Sequence, residues 1–289
     1  MKKLIKLSIL GLFVLVLSSG CFKRDNLEGI EIVTTAYPYE YVTNLLYGEH
    51  SLVNSIYPDG TDISTYTLND KQIKDYSNKE LFIYNGLSDD KDIALELLDY
   101  NHDMMIIDAT SGMETTYGEE ELWLNPSNLL MITQNIKTGL NEYITNSYLK
   151  KEIDKAYEEI KITLSELDAE IKLTAENATR KTIVVNNDSL KFLEKYGFTV
   201  ISLDDTTTPI TEKTISDVKA MIQNQTVRHI ILLDKTENSD SLNQLIADTG
   251  IATLTFKRLD NISDTERDNK EDYISLMNDN IDLLKSELY

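Results

Sequence analysis

The sequence predicts an α/β protein of two lobes, each with a mainly parallel β-sheet flanked by helices, joined by one long rigid helix. Short apolar runs alternate with segments of helical periodicity, as in buried parallel strands and their connecting helices. A segment without glycine or proline then runs from about Ser147 to Glu176, and the alternation begins again after it. We therefore place the N-terminal lobe at 29–146, the connecting helix at 147–178 and the C-terminal lobe at 179–289.

The start of the chain has the pattern of a secretory signal peptide. Lysines at the extreme N-terminus precede an apolar run over 7–17, and small residues then lead to Cys21, the only cysteine. The segment Leu17–Cys21 resembles the bacterial lipobox, in which the signal is removed before a cysteine that carries lipid. We expect a signal peptide at 1–20, a lipid on Cys21 and a tether over 21–28, which anchors the chain on the extracytoplasmic face of the cell membrane. A buried or metal-binding thiol is the alternative for a lone cysteine.

The charge balance is strongly acidic. The formal net charge is −21, and without the predicted leader 25 basic side chains stand against 49 acidic ones, a formal charge of −24. Such a field repels nucleic acid and anionic head groups, so we expect no nucleic-acid partner and an anchor made of acyl chains. An acidic surface also gathers cations, although solubility alone is a sufficient reason for it.

Each element of the N-terminal lobe has its own signal. The apolar periodicity over 39–46 predicts a helix that stops at Gly48, and Pro58-Asp59-Gly60 predicts a turn. Asn69 is followed three residues later by Gln72, the spacing of a helix capping box. The predicted strands are 30–35, 52–57, 81–84 and 104–107.

The second half begins with helices. Asn125-Pro126 predicts a helix start, with proline in the first helical position. Apolar residues then recur at helical spacing over a stretch that would span about 45 Å as one helix. A coiled coil is the alternative, but the repeat does not persist over enough heptads. The predicted elements of the C-terminal lobe are strands at 182–185, 199–203, 229–233 and 251–256, a helix that ends at Gly197, and helices at 241–248 and 273–288.

Several segments together resemble the zinc- and manganese-binding solute receptors of bacterial ABC importers. The segment from Pro58 to Lys71 is similar to the "P-x-G-x-x-P-H-x-Y-E-P-S-P-K" segment of that family, and the long helix falls where the family has its inter-lobe helix. Shorter similarities are Val33-Thr34-Thr35-Ala36-Tyr37-Pro38, Phe82-Ile83-Tyr84-Asn85-Gly86-Leu87, Leu122-Trp123-Leu124-Asn125-Pro126 and Ala247-Asp248-Thr249-Gly250. The resemblance covers the mature chain and implies a solute bound in the cleft between the lobes.

The resemblance also implies four metal-ligand positions. They are Ser64, Glu121, Asn187 and Asp260, and none of the three histidines occupies one of them. Zinc prefers nitrogen and sulfur ligands, so this all-oxygen set suits Mn²⁺, Ca²⁺ or Mg²⁺ better, with Asp62, Asp204 and Asp205 as candidate additional donors. The alternative is that Glu121 and Asp260 are ordinary polar residues of a cleft that has lost its metal.

Tyrosines are frequent in the segments expected near the cleft. They are Tyr37, Tyr39, Tyr41, Tyr57 and Tyr66. Stacking on an organic solute and ordinary packing within the lobe are both compatible with this pattern.

The sequence therefore predicts the solute-binding lipoprotein of an ABC importer. Its cargo would be a divalent metal ion (Mn, Zn or Ca) or an altered solute, without an organic cofactor. Its partners would be a cognate permease and, through the lipid, the membrane, and the chain would be a monomer. The alternative is a surface lipoprotein that kept the scaffold but lost metal binding, and that contacts a protein partner or host surface. No nucleophile elbow, phosphate loop or metalloenzyme motif occurs in the sequence, so we expect no enzyme.

Overall fold

The computed structural model describes residues 27–206 and 209–289 and contains two four-stranded sheets. The predicted signal peptide and Cys21 lie outside the described residues. In the first sheet the strand order is β2-β1-β3-β4, and in the second it is β6-β5-β7-β8. All pairings are parallel, which confirms the predicted fold class. The strands are β1 (Ile30–Thr34), β2 (Ser51–Ser55), β3 (Leu81–Tyr84), β4 (Met105–Asp108), β5 (Thr182–Val185), β6 (Thr199–Ser202), β7 (His229–Leu233) and β8 (Ala252–Phe256).

Helices connect the strands of each sheet and cover them. A 3₁₀ helix over Asp188–Tyr196 stands where the sequence predicts a helix before Gly197, and Gly197 ends it with a positive φ of 95°. No helix in the described parts of the chain is both long enough and apolar enough to cross a membrane. The α-helices are α1 (Tyr37–Tyr47), α2 (Asp70–Tyr76), α3 (Asp90–Tyr100), α4 (Glu121–Leu124), α5 (Pro126–Tyr143), α6 (Ser147–Asn177), α7 (Glu212–Gln223), α8 (Asp240–Thr249), α9 (Asp264–Asp268) and α10 (Tyr273–Leu288).

The long helix α6 is continuous, as the sequence predicts. Its N-cap is Asn146, whose side chain accepts from the backbone N–H of Tyr148 at 2.9 Å. Ile153, Ile160 and Leu167 lie on one face and are 0%, 5% and 3% exposed. This stripe packs into a core that includes residues of both sheets, so α6 joins the two halves through apolar burial along its length.

Local capping motifs start the helices around the first sheet. The capping box predicted at Asn69 is present: its side chain accepts from Gln72 N, and the Gln72 side chain accepts from Asn69 N. Asn125 caps α5 ahead of its proline, also as predicted. These caps fix where α2 and α5 begin, and therefore how the loops before them approach the ends of the strands.

Candidate functional site

The main cavity of the described residues lies beyond the carboxyl ends of the strands, where parallel sheets place their ligand sites. It has a volume of about 640 Å³. The loop after β2, the start of α3 and the loop before α4 form most of its wall, and only two residues come from the loop after β8. Its lining residues are Tyr57, Ile63, Ser64, Tyr66, Thr67, Leu68, Ile73, Ser88, Asp89, Asp90, Ile93, Glu96, Glu119, Glu120, Trp123, Arg258 and Asp260.

One side of the cavity is built around the guanidinium of Arg258. Its Nη2 atom donates to Asp62 Oδ1 at 2.9 Å and, more closely, to Asp260 Oδ2. Arg258 is 6% exposed and Asp260 is 2% exposed, so their ion pair is buried. We refer to Arg258, Asp260 and Asp62 as the arginine cluster.

The charges of the arginine cluster reinforce one another. Burial acts to lower the pKa of Arg258, but the hydrogen bond with Asp260 and nearby negative charges raise that pKa above its usual value. Burial likewise acts to raise the pKa of Asp62, but hydrogen bonds from Ser64 and the charge of Arg258 hold it below its usual value. Arg258 therefore supplies a permanent positive charge at Asp260.

The backbone around Arg258 is held in an unusual conformation. Leu259, which separates Arg258 from Asp260, is buried and has a positive φ of 60°, a region that bulky residues rarely adopt. The indole Nε1 of Trp123 donates to the carbonyl of Arg258 at 2.8 Å, and Tyr37 N donates to the carbonyl of Asp260 at 2.9 Å. These contacts with the N-terminal half fix the direction of both charged side chains.

The start of α3 and the loops before α3 and α4 carry an excess of negative charge. Within 27–206 and 209–289, none of their carboxylates forms an ion pair with a lysine, arginine or histidine. Their hydrogen-bond donors are neutral: Asn85 Nδ2 donates to Glu119 at 3.2 Å, Asn85 N to Asp90 at 3.3 Å, and Ser189 Oγ to Glu120 at 2.7 Å. We call this group the acidic wall; its members are Asp89, Asp90, Glu96, Glu119 and Glu120.

The motif around Asn85-Gly86 positions this wall. The side-chain oxygen of buried Asn85 accepts from Leu87 N and Thr110 Oγ1, which leaves its amide free to donate to Glu119. At Gly86, a Cβ would lie 2.2 Å from the Asp108 carboxylate, which accepts from Gly86 N at 3.0 Å. Glycine is therefore required by this close approach, and the turn carries Asn85 to the acidic wall.

The pKa values of two carboxyl groups of the acidic wall are raised. Loss of contact with water is the largest cause of a pKa of about 7 for Glu119, and the negative charges of Asp90, Glu120 and Asp89 add to it. Glu119 is nevertheless exposed to solvent, which screens these charges and weakens the effect on stability. Burial also raises the pKa of Asp90. A positive solute beside these groups would favour their charged forms.

The four predicted ligand positions do not all reach this cavity. Ser64 and Asp260 line it, but the Ser64 hydroxyl donates to Asp62 at 2.7 Å. Glu121 accepts from the backbone N–H groups of Thr116 and Tyr117, both at 3.1 Å. Asn187 caps the 3₁₀ helix by accepting from Ser189 N at 2.8 Å. Asp62 belongs to the arginine cluster, as described above, whereas the other candidate donors, Asp204 and Asp205, are not among the lining residues.

The described residues contain no group of three or more His, Cys, Asp and Glu side chains placed to hold a metal ion. His50 Nε2 pairs with Glu152 at 2.8 Å, and His229 Nδ1 pairs with buried Glu287 at 2.9 Å. Neither of these histidines, nor His102, is among the residues that line the cavity. The role of the four predicted positions as metal ligands stays a prediction.

Aromatic side chains form part of the cavity wall. Of the five tyrosines singled out from the sequence, Tyr57 and Tyr66 line it, with their rings edge to face and centroids 5.8 Å apart. Trp123 lines it from the side of the arginine cluster. The other three are Tyr37, Tyr39 and Tyr41, which belong to or pack against the main core.

Sequence reasoning missed Arg258 and the whole acidic wall. Three sequence features could have pointed to these residues. They are Arg258 two residues before Asp260, Asp89-Asp90 at the start of α3, and the three consecutive glutamates at 119–121. Which of these side chains faces the cavity depends on contacts between distant loops.

Comparison with known proteins gives a consistent result over nearly the whole chain. The family model for ZnuA, described as the zinc-uptake complex component A, periplasmic, matches residues 32–287. The high-affinity zinc uptake system protein ZnuA of Bacillus subtilis is 22% identical and covers 90% of this chain and 88% of its own length. The manganese ABC transporter substrate-binding lipoprotein PsaA of Streptococcus mitis is 25% identical over 100% of this chain and 99% of its own.

Solved structures share the fold. The Zn(II)-bound ZnuA-like domain of Streptococcus pneumoniae AdcA matches with a TM-score of 0.71 and 21% identity, over 90% of this chain and 99% of that domain. The metal-dependent lipoprotein YcdH of Bacillus subtilis matches with a TM-score of 0.73 and 20% identity, over 90% of this chain and 99% of its own. The relatives described here are named for metal uptake, transport, binding or dependence.

Proposed function

Because the chain belongs to the ZnuA family of zinc-uptake components, we propose that it is the extracytoplasmic solute-binding component of an ABC importer and that its cargo is a positively charged solute. The observation that carries the proposal is the acidic wall, a set of carboxylates that line a 640 Å³ cavity and, in the described residues, form no ion pair with a lysine, arginine or histidine. The guanidinium of Arg258, in the same cavity, interacts with the charge of Glu120 but forms no ion pair with it. Such a concentration of negative charge attracts cations and selects against anions. The relatives named for zinc and manganese transport handle cations as well.

The cavity has the position that a receptor of this kind requires. Most of its lining belongs to the N-terminal half, while Arg258 and Asp260 close it from the C-terminal half. A bound solute would therefore contact both halves of the chain. The stiff connection through α6 limits the relative motion of the halves, so we expect only a small closure on binding.

The remaining parts of the proposal concern location and partners. A signal peptide at 1–20 and a lipid on Cys21 would hold the chain at the membrane surface through the tether at 21–28. The lobes at 29–146 and 179–289 would then be presented as a monomer to a cognate permease. Cys21→Ser is expected to release the protein into the medium or leave it unprocessed. Normal cleavage with full membrane retention would contradict the anchor.

An uptake assay tests the transport role. Cells that lack this chain should take up less of at least one positively charged solute, measured with labelled zinc, manganese and simple amines, and the wild-type gene should restore the uptake. A gene carrying Glu119→Gln should restore less, because it removes one charge from the acidic wall. Unchanged uptake of every one of these cations in the deletion strain would refute the proposal. Nothing observed favours the alternative of a scaffold that serves only as a protein-contacting surface lipoprotein.

A further inference from the structure

The guanidinium of Arg258 lies between two carboxylates that would otherwise be open to a cation. Its Nη2 atom donates to both Asp260 Oδ2 and Asp62 Oδ1. Arg258 and Asp260 are buried, and both line the cavity. Because little water screens charges there, the guanidinium repels any second positive charge that approaches Asp260. Arg258 therefore withholds this carboxylate from a positively charged cargo.

The ion pair neutralises Asp260 without using all the hydrogen-bonding atoms of the arginine cluster. The strongest arginine–carboxylate pairs have two parallel N–H···O bonds, whereas here one nitrogen serves two carboxylates. In the described residues, Asp260 Oδ1 and Asp62 Oδ2 accept no hydrogen bond, and the buried Nε of Arg258 has no hydrogen-bond partner. Two carboxylate oxygens are therefore open to an ion that replaced the guanidinium.

The backbone holds the guanidinium at this position without a ligand. Trp123 Nε1 donates to the carbonyl of Arg258 at 2.8 Å, and Tyr37 N donates to the carbonyl of Asp260 at 2.9 Å. Leu259, between them, is buried with a positive φ of 60°. Both charged side chains thus start from fixed points, and their pairing belongs to the folded structure.

A cation that enters the cavity meets two kinds of carboxylate. Asp260 has a counter-ion within the protein, whereas the carboxylates of the acidic wall form no ion pair in the described residues. One side chain, that of Arg258, makes this difference. The position of a cargo ion within the cavity therefore depends on it.

Resting on the proposed role as a cation receptor, we propose that Arg258 is a specificity-determining residue of the cavity. It is an internal counter-ion that excludes a divalent cargo ion from Asp260 and Asp62 and leaves the acidic wall to bind it. Removal of the guanidinium should convert these two carboxylates, with the Ser64 hydroxyl beside them, into a second position for the ion. Carboxylate oxygens suit manganese, which is therefore the main probe.

Calorimetric titration with manganese chloride of the full-length protein, purified in detergent and stripped with chelator, tests the proposal. Arg258→Met should bind manganese about tenfold more tightly than the wild type or bind an additional equivalent. Asp260→Asn in the same chain should abolish this gain. Lys257→Met is the matched control, because its ammonium pairs with Glu266 and Asp279 and does not line the cavity. It should change the affinity by less than about twofold.

Thermal unfolding shows whether the variants fold, because loss of Arg258 leaves Asp260 without its partner. Manganese should raise the Tm of Arg258→Met by more than that of the wild type, since the ion binds the folded state. Arg258→Gln removes the charge but keeps an N–H donor for the carboxylates. It should show the same gain in affinity and decides the question if Arg258→Met does not fold.

The remaining outcomes separate this inference from the proposed function. Manganese binding that is unchanged in the folded Arg258 variants overturns the inference, even if the wild type binds the ion through Glu119. A gain that survives Asp260→Asn also overturns it, because the ion then lies elsewhere. If the wild type binds neither manganese nor zinc chloride and the Arg258 variants bind manganese, the exclusion by Arg258 stands and a divalent cargo on the acidic wall is refuted.

Discussion

The two sides of the cavity hold negative charge in different ways. In the arginine cluster, buried Asp260 is neutralised by a guanidinium whose direction is fixed by the backbone of Leu259 and by Trp123. On the acidic wall, Glu119 and Asp90 have only neutral hydrogen-bond donors among the described residues. In the first arrangement the charge of Asp260 is neutralised within the protein, although the buried Nε atom of Arg258 has no hydrogen-bond partner in the described residues, whereas the second leaves negative charge that a ligand can neutralise. This difference is the basis of our proposal that a positively charged cargo binds on the acidic wall.

The largest effect should come from breaking the arginine cluster. Arg258→Met leaves Asp260 buried without its partner and is expected to lower the free energy of unfolding by about 3–5 kcal/mol in denaturant titrations. The double variant Arg258→Met/Asp260→Leu should recover much of this loss, because no unpaired charge remains. Lys219→Met, which removes an exposed pair with Asp248, is the control and should cost less than about 1 kcal/mol. A cost for Arg258→Met as small as that of the control would mean that Asp260 is not held by this pair.

Breaking α6 should separate the two sides of the cavity. Proline at Lys161, in the interior of this helix, is expected to cost roughly 3 kcal/mol or more, because it removes a backbone hydrogen bond and clashes with the preceding turn. Since the stripe of Ile153, Ile160 and Leu167 joins both halves, unfolding should then split into two transitions. Lys161→Ala keeps the helix and is the control. A single unshifted transition in the proline variant would show that the halves are joined by other contacts.

A smaller effect is the pH dependence of folding stability, which should have opposite signs for a residue of the acidic wall and a residue of the arginine cluster. Because the pKa of Glu119 is raised to about 7, the folded protein binds this proton more tightly than the unfolded chain, and stability falls as pH rises from about 4.5 through 7. Glu119→Gln should therefore be more stable than the wild type at pH 8, and this gain should vanish near pH 4. We expect a difference in Tm on the order of 1–3 °C.

Asp62 should show the opposite sign. Its lowered pKa means that its contribution is present above the usual aspartate range and is lost as pH falls through and below that range. Asp62→Asn should thus be less stable than the wild type at pH 7, again by on the order of 1–3 °C, and should approach it in acid. Thermal unfolding of both variants and the wild type between pH 3 and 8 measures how each difference in Tm changes with pH. The same sign for both would remove the distinction between the arginine cluster and the acidic wall.

The fold could be predicted because its signals are local. Apolar runs indicate the buried parallel strands, the Asn69 and Gln72 cap starts α2, and apolar spacing indicates α6. Each of these patterns acts within a few residues or one turn of helix. The 3₁₀ helix before Gly197 differs from an α-helix only in the tightness of its turns, which a periodic pattern does not resolve.

The site was less predictable because side-chain direction depends on distant contacts. Of three consecutive glutamates, Glu121 turns back to the backbone of 116–117, so Glu119 and Glu120 face the cavity instead. Arg258 reaches Asp260 because Leu259 takes a positive φ and Trp123 holds the adjacent carbonyl, 135 residues away in sequence. Neither feature has a local sequence signature.

Native mass spectrometry of the full-length protein, purified in detergent without chelator, tests the central claim most directly. We expect the wild type to retain one equivalent of a cation, and the Glu119→Gln variant to retain much less of it, because the acidic wall attracts positive charge. Wild-type protein that retains no cation, or a retained cation that is unaffected by Glu119→Gln, would contradict the account.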